Sequence, residues 1–221
     1  MDTPIVVNYE YTNNLYKAKQ WLSNLPDLFA ADFEAASKWT KQQKDILKFR
    51  LENNKLDDEE RRIVLQQLTS NGLSHPSLTV ITHLSVAWSE KDSYVIICEN
   101  ERMRQLVYNF LTNTDKVQIW HNSIFDFKHI RFHTGVLPKE YIDTQLISKC
   151  LLNDANSFRD RTGLKELMGY LYGDWALAKE EDTYSLENIW NPQMIKYAAT
   201  DSPATYRLYQ DIQEELQKWT I

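Results

Sequence analysis

The segment Leu28-Phe29-Ala30-Ala31-Asp32-Phe33-Glu34 constrains this chain more than any other. An apolar run of this length has the size of a buried strand, and it closes on two acids one residue apart. Residues i and i+2 of a strand point to the same face, so Asp32 and Glu34 stand side by side at the margin of a core. Two carboxylates so placed repel each other unless a cation lies between them. Hard divalent ions take oxygen ligands, which makes Asp-x-Glu a seat for Mg²⁺ or Mn²⁺. A strand end meeting solvent would carry the same local sequence, so the pair alone leaves both readings open.

The flanking sequence builds a sheet around that strand. Residues 5–11 alternate and are β-branched, as in a strand. Residues 14–25 carry Leu15, Ala18, Trp21, Leu22 and Leu25 at helical spacing and stop at Pro26. Residues 77–88 and 93–98 are rich in Val, Ile and Thr, with a hairpin turn between them. Residues 102–111, 125–132 and 163–172 read as helices. Residues 117–120 read as a strand, and Tyr141-Ile142-Asp143-Thr144 opens another strand-to-helix unit. Asn191-Pro192 begins a last helical region that passes Tyr197 and Pro203 on its way to Trp219. Strands followed by alternating strands and helices give an α/β fold with a mixed sheet.

Residues 38–75 differ in character, being charged, rich in Gln and poor in Gly and Pro. Two helices, 38–52 and 57–69, are expected to form a hairpin there. Residues 38–55 hold six basic and two acidic side chains, a local +4. Lys41, Lys44 and Lys48 fall at i, i+3 and i+7, a stripe suited to nucleic-acid phosphates or a partner protein. A solvated hairpin would show the same pattern.

The whole chain of 221 residues has 25 basic and 31 acidic side chains, a net charge of −6. That balance argues against a protein that coats nucleic acid by bulk electrostatics. Cys98 and Cys150 are far apart with no CxxC, against a disulfide scaffold or a structural zinc site. The start, Met1-Asp2-Thr3-Pro4, lacks a basic apolar leader, and no run reaches the ~20 apolar residues of a membrane span. A single domain, not secreted and not in a membrane, is expected.

Two further acidic positions follow. Asp126 closes His121-Asn122-Ser123-Ile124-Phe125-Asp126, directly after the strand at 117–120. A helix N-terminal acid favoured by the dipole is the competing reading. Tyr197 and Asp201 in Tyr197-Ala198-Ala199-Thr200-Asp201 lie four apart and share a helix face.

In this order the three motifs read D-x-E, N-x-x-x-D and Y-x-x-x-D. This pattern resembles the DEDD exonucleases in the variant whose third motif carries tyrosine. The chain is similar to the 3′–5′ proofreading exonuclease domain of family A DNA polymerases over most of residues 5–216, apart from 38–75. Ribonuclease D and the Werner-type exonucleases share the three motifs. The resemblance implies a ribonuclease H-like mixed sheet flanked by helices, here with an inserted helical hairpin at 38–75.

It also implies hydrolysis of phosphodiester bonds from a 3′ end with two divalent ions, Mg²⁺ or Mn²⁺, releasing nucleoside 5′-monophosphates. Asp32 would bridge the ions, Glu34 and Asp201 would complete the tighter site, and Asp126 would hold the second ion. Tyr197 would orient the attacking water. The five histidines all precede the third motif, in keeping with the tyrosine variant. His121 reads as structural and Asp143 as a support for the site. Asn122 is a substrate-contact candidate, with a structural role open. Phe33 and Phe125 flank the acids and could stack on terminal bases, although a core position suits both.

The expected substrate is the 3′ end of single-stranded DNA, with proofreading for a separate polymerase as one setting. An RNA-trimming enzyme of the ribonuclease D type is the alternative. An inactive fold kept as a binding module is the third reading, and the presence of all four carboxylates and the tyrosine weighs against it. The expected location is the cytoplasm of a bacterial or virus-infected cell.

Overall fold

The structure is a computed structural model that describes residues 7–38, 41–53, 56–69, 76–77, 79–151, 162–173 and 187–218. In chain order the elements are β1 (Asn8–Thr12), α1 (Leu15–Asn24), β2 (Leu28–Ser37), α2 (Lys41–Glu52) and α3 (Asp58–Thr69). They continue with β3 (Thr79–Ala87), β4 (Asp92–Ile97), α4 (Glu101–Asn113), β5 (Val117–Trp120), α5 (Ile124–Thr134) and β6 (Tyr141–Asp143). Helices α6 (Thr144–Leu151), α7 (Leu164–Tyr172) and α8 (Pro192–Lys218) complete the chain. Local chemistry sets several of these ends. The Asn14 side chain accepts the Lys17 N–H at 3.0 Å and starts α1, and Asn100 does the same for Met103 and α4. Gly135, at φ 78°, ends α5 in the left-handed region that a side chain resists.

The six strands form one sheet in the order β1-β4-β3-β2-β5-β6. β3 runs antiparallel to both of its neighbours, β2 and β4, while β1–β4, β2–β5 and β5–β6 are parallel pairs. β2 extends past the expected end at Glu34 to Ser37, because Ala35, Ala36 and Ser37 keep pairing with Ile81, Val80 and Thr79.

Period-two alternation divides β2 between two layers. Phe29, Ala31, Phe33 and Ala35 enter the larger core with Leu84, Val86 and Ile96, under α1, α4 and α5. Trp21, Val107, Tyr108, Leu111 and Ile130 are the main contributions of those helices. Ala30, Asp32, Glu34 and Ala36 face the opposite way, toward α8. Ala30 clusters with Ala87 and Ile119, against which Tyr206 and Tyr209 of α8 pack, and Ala36 clusters with Met194 and Tyr197. On β4, Val95 and Ile97 pack against Ile195, Ala198 and Ala199.

Small residues let α8 lie close to the sheet, and hydroxyls tie it there. Pro203 sits inside α8 and has no N–H, so the carbonyl of Ala199 four residues back loses its helical donor. The buried Ser93 hydroxyl donates to that carbonyl at 3.0 Å. The Ser85 and Ser202 hydroxyls hydrogen-bond one strand further in. α7 backs α8 through Leu167 and Met168 against Ala204, Leu208 and Ile212.

Helices α2 and α3 leave the sheet after β2 and return before β3, forming the expected hairpin. Arg50 and Glu60 pair across it at 3.7 Å, and the Lys38 ammonium donates to the Ser77 carbonyl at 2.9 Å, joining its two ends. Ile46, Phe49 and Leu65 are exposed on it. Residues 39–40, 54–55 and 70–75 of the expected 38–75 insert lie outside the described residues, as does Trp219. Among the described residues no helix is long and apolar enough to cross a membrane.

The Ser93–Ala199 bond gives a direct test of how α8 is seated. Ser93→Ala leaves a buried carbonyl without a donor and is expected to lower stability by about 1–3 kcal/mol in urea unfolding. An unchanged midpoint would show that the bond does not hold the helix.

Candidate active site

The carboxylates of β2 meet α8 where Ala30 and Ala36, both fully buried, leave room for the helix on either side. Tyr197 and Asp201 project from one face of α8 by their spacing of four. Carboxylate oxygens of Asp32, Glu34 and Asp201 all come within 4.8 Å of one another. A β-bulge lies beside them. Glu34 pairs with His83 and Ala35 with Ile81, so Thr82 is the extra residue of β3. The Thr82 hydroxyl donates to the Glu34 carbonyl at 3.1 Å. His83 fixes the same region, with Nδ1 at 3.0 Å from the Thr82 hydroxyl and Nε2 at 2.9 Å from the Ile189 carbonyl.

Asp126 reaches the site from the other side. β5 pairs with β2 over Leu28, Phe29 and Ala30. Beyond Ala30 the edge of β2 that faces β5 needs another acceptor. Asp126, in the first turn of α5, accepts the Phe33 N–H at 3.1 Å. The turn that aims it is held by Asp143, which accepts the N–H groups of Asn122, Ser123, Gln145 and Leu146 and the Ser123 hydroxyl. Asn122 takes φ 59°, the left-handed conformation that asparagine tolerates better than most side chains.

The electrostatics follow from this crowding. Burial pushes the Asp32 carboxyl well above its usual value, and repulsion from Asp126 and then Asp201 adds to it. The Lys165 ammonium acts in the opposite sense with the weakest of these influences. Burial also raises Asp126 to about 8, against hydrogen bonds that favour its ionised form. Asp143 shows the reverse balance. Burial raises it, but the bonds from Ser123, Leu146 and Asn122 prevail and hold it below the usual carboxylate range.

The other expected residues divide. Phe33 is corrected: it is 4% exposed and packs against Tyr108 and Trp120, so it cannot stack on a base. The alternation that aims Asp32 and Glu34 at α8 sends Phe33 into the opposite layer. Phe125 is partly buried against the same core and its ring meets His129. Asn122 is exposed, and its backbone is what the structure uses to turn β5 into α5. Both ring nitrogens of His121 are engaged, Nε2 with the Thr162 carbonyl and Nδ1 with the Thr144 hydroxyl, each at 2.9 Å. Burial lowers its pKa to about 4, so it is a neutral structural residue. Lys48 is exposed, and the side chains of Lys41 and Lys44 lie outside the described residues.

Lys165 was not singled out by the sequence reading, yet its ammonium hydrogen-bonds the Tyr197 hydroxyl. Its only sequence signal is a basic residue in the first turn of a helix, a common occurrence.

The donor set fits a hard divalent cation. It is all carboxylate, it converges from two elements, and it is crowded enough to disfavour full ionisation without a cation.

Comparison with known proteins places the architecture. Residues 72–217 match the family model described as 3′–5′ exonuclease, of the DNA polymerase A exonuclease type. The match begins after the hairpin, so Asp32 and Glu34 lie outside it, and it is the sheet that joins them to Asp126, Tyr197 and Asp201. No curated protein matches the chain in sequence. Brucella melitensis NrnC bound to pGG superposes with a TM-score of 0.62 at 18% identity, covering 97% of this chain and 83% of NrnC. The catalytic core of RRP6 from Trypanosoma brucei gives 0.63 at 11% identity, over 98% of this chain and 50% of that one. Escherichia coli RNase D, described as an exoribonuclease involved in structured RNA processing, gives 0.56 at 12% identity, over 97% and 47%. The fold is the ribonuclease H-like α/β fold of these nucleases.

The crowded carboxyls make stability depend on pH. Folded Asp126 holds its proton up to about 8, whereas the unfolded chain releases it near 3.8. Stability therefore falls as pH rises through that window. His83 and His121, lowered from 6.5 to about 4, add stability as pH rises between those values and mask the effect there. Between pH 6.5 and about 8 the carboxyl contribution stands alone among these groups. The metal-free protein is expected to lose Tm across that range, Asp126→Asn to flatten the loss, and added Mn²⁺ to raise Tm most at the alkaline end. A metal-free Tm that rises across the same range contradicts this charge balance.

Proposed function

This chain belongs to the 3′–5′ exonuclease family, and on that premise we propose that it hydrolyses single-stranded nucleic acid from the 3′ end with divalent metal ions. The observation that carries the reading is the convergence of Asp32, Glu34 and Asp201 within 4.8 Å, with Tyr197 on the same helix as Asp201 and Asp126 held against β2 from α5. Water adds across the terminal phosphodiester, a nucleoside 5′-monophosphate leaves, and a new 3′-hydroxyl remains. Asp32, Glu34 and Asp201 would hold one ion, and Asp126 together with Asp32 a second. Such ions, when bound, stabilise the attacking and leaving oxygens of the in-line displacement. The protein's own groups supply the positioning. Tyr197 orients the attacking water and keeps its proton, and Asp143 keeps the Asp126 turn in place. Mg²⁺ and Mn²⁺ both suit the oxygen donors, and NrnC has also been solved with bound Mg²⁺.

RNA is the favoured substrate. RNase D is described as an exoribonuclease and NrnC was solved with pGG. DNA is the second reading, supported by the match to the DNA polymerase A exonuclease type. A polymerase partner is not required by either. The role proposed for the hairpin α2–α3 is an arm for the strand behind the 3′ end, through the positive charges of Lys41, Lys44 and Lys48.

Digestion of 5′-labelled single-stranded RNA and DNA with Mn²⁺ or Mg²⁺ tests the proposal. A ladder shortening from the 3′ end is expected on RNA, weaker on DNA, and absent with Asp201→Asn. A stronger ladder on DNA reverses the substrate order. Folded wild-type protein inactive on both would favour the binding-module reading. Replacing Lys41, Lys44 and Lys48 with Gln is expected to weaken strand binding and reduce its logarithmic salt slope by about 2. Unchanged binding removes the arm from the account.

A further inference from the structure

We propose that Lys165 is a positioning residue that fixes Tyr197 as a hydrogen-bond donor toward the attacking water, an inference that rests on the exonuclease reading of Tyr197. The two residues are 32 apart in the chain and meet through packing. Lys165 lies in the first turn of α7, whose start is held by the Glu166 carboxylate accepting the Gly163 N–H at 3.3 Å. Leu167 and Met168 anchor α7 on Ala204, Leu208 and Ile212 of α8. α8 in turn presents Tyr197, whose body is buried with Met194 and Ala36. The ammonium leans over the ring at 4.2 Å from its centroid and donates to the phenol oxygen.

The direction of that bond carries the inference. An ammonium has three donors and no acceptor. The Tyr197 oxygen must therefore accept from Lys165, which leaves the phenol O–H to donate elsewhere. A tyrosine so held is a donor of fixed direction and cannot take a proton from water through the same lone pair. Charge compensation of the carboxylates is a lesser role, because burial, Asp126 and Asp201 all act on Asp32 more strongly than Lys165 does.

The test is a double-mutant cycle on whichever oligonucleotide the wild type degrades, with calorimetric Mn²⁺ titration of each protein in the absence of substrate. Lys165→Met is expected to lower kcat roughly tenfold to a hundredfold. KM should stay within about twofold, since the lost interaction orients water and does not bind substrate. Lys165→Arg should recover most of the loss. The double variant with Tyr197→Phe should be no slower than Tyr197→Phe alone, and Mn²⁺ affinity of Lys165→Met should be equal or tighter. Additive losses, or a raised KM with kcat retained, would overturn the proposal and assign Lys165 to the phosphate backbone. A fall in Mn²⁺ affinity that tracks kcat would overturn it by making Lys165 a support for the carboxylates. An active wild type with an additive cycle removes Lys165 alone, whereas an inactive wild type removes the exonuclease reading with it.

Discussion

Asp32 cannot be fully ionised at little cost where it stands. Burial, Asp126 and Asp201 all disfavour its charge; the first turn of α5 holds Asp126 there, and the packing of α8 against the sheet holds Asp201. That packing depends on residues with almost no side chain. Ala30 and Ala36 of β2 and Ala198 and Ala199 of α8 let the helix axis come close, and the Ser93 and Ser202 hydroxyls hold it there. Larger residues at these positions would lift α8 and separate Asp201 from β2. The catalytic reading and the place of Lys165 follow from this contact surface, and the pH dependence adds Asp126, which the first turn of α5 brings to the same strand.

Local rules give way around the site for the same reason. A proline lies inside the longest helix, an asparagine adopts a left-handed conformation, and β3 carries a bulge at Thr82. Each irregularity has its compensation nearby: Ser93 for the Ala199 carbonyl, Asp143 for the turn at Asn122, and Thr82 and His83 for the bulge. Violations of local preference that cluster at one place and are individually supported are the mark of a functional site. The wide side of the sheet, by contrast, is an ordinary apolar layer under α1, α4 and α5.

Much of this was legible in the sequence because it depends on spacing within one element. The i, i+2 pair on β2 and the i, i+4 pair on α8 placed their side chains on common faces, and Pro26 and Asn191-Pro192 marked helix boundaries near their observed positions. Asp143 could be read as a support through the family resemblance. The features that were not legible depend on contacts between elements. Lys165 meets Tyr197 only because α7 docks on α8. Phe33 was considered for stacking by its nearness to the acids, although the same alternation places it in the opposite layer. The continuation of β2 to Ser37 depends on partners in β3, more than forty residues away across the hairpin.

Everything proposed for the site requires that α8 and β2 together form a divalent-cation seat. Anomalous diffraction from crystals soaked in Mn²⁺ tests it without reference to substrate. A peak is expected among the carboxylates of Asp32, Glu34 and Asp201, and its loss in Asp201→Asn. No peak there in the wild type, or a peak that persists in Asp201→Asn, would contradict it.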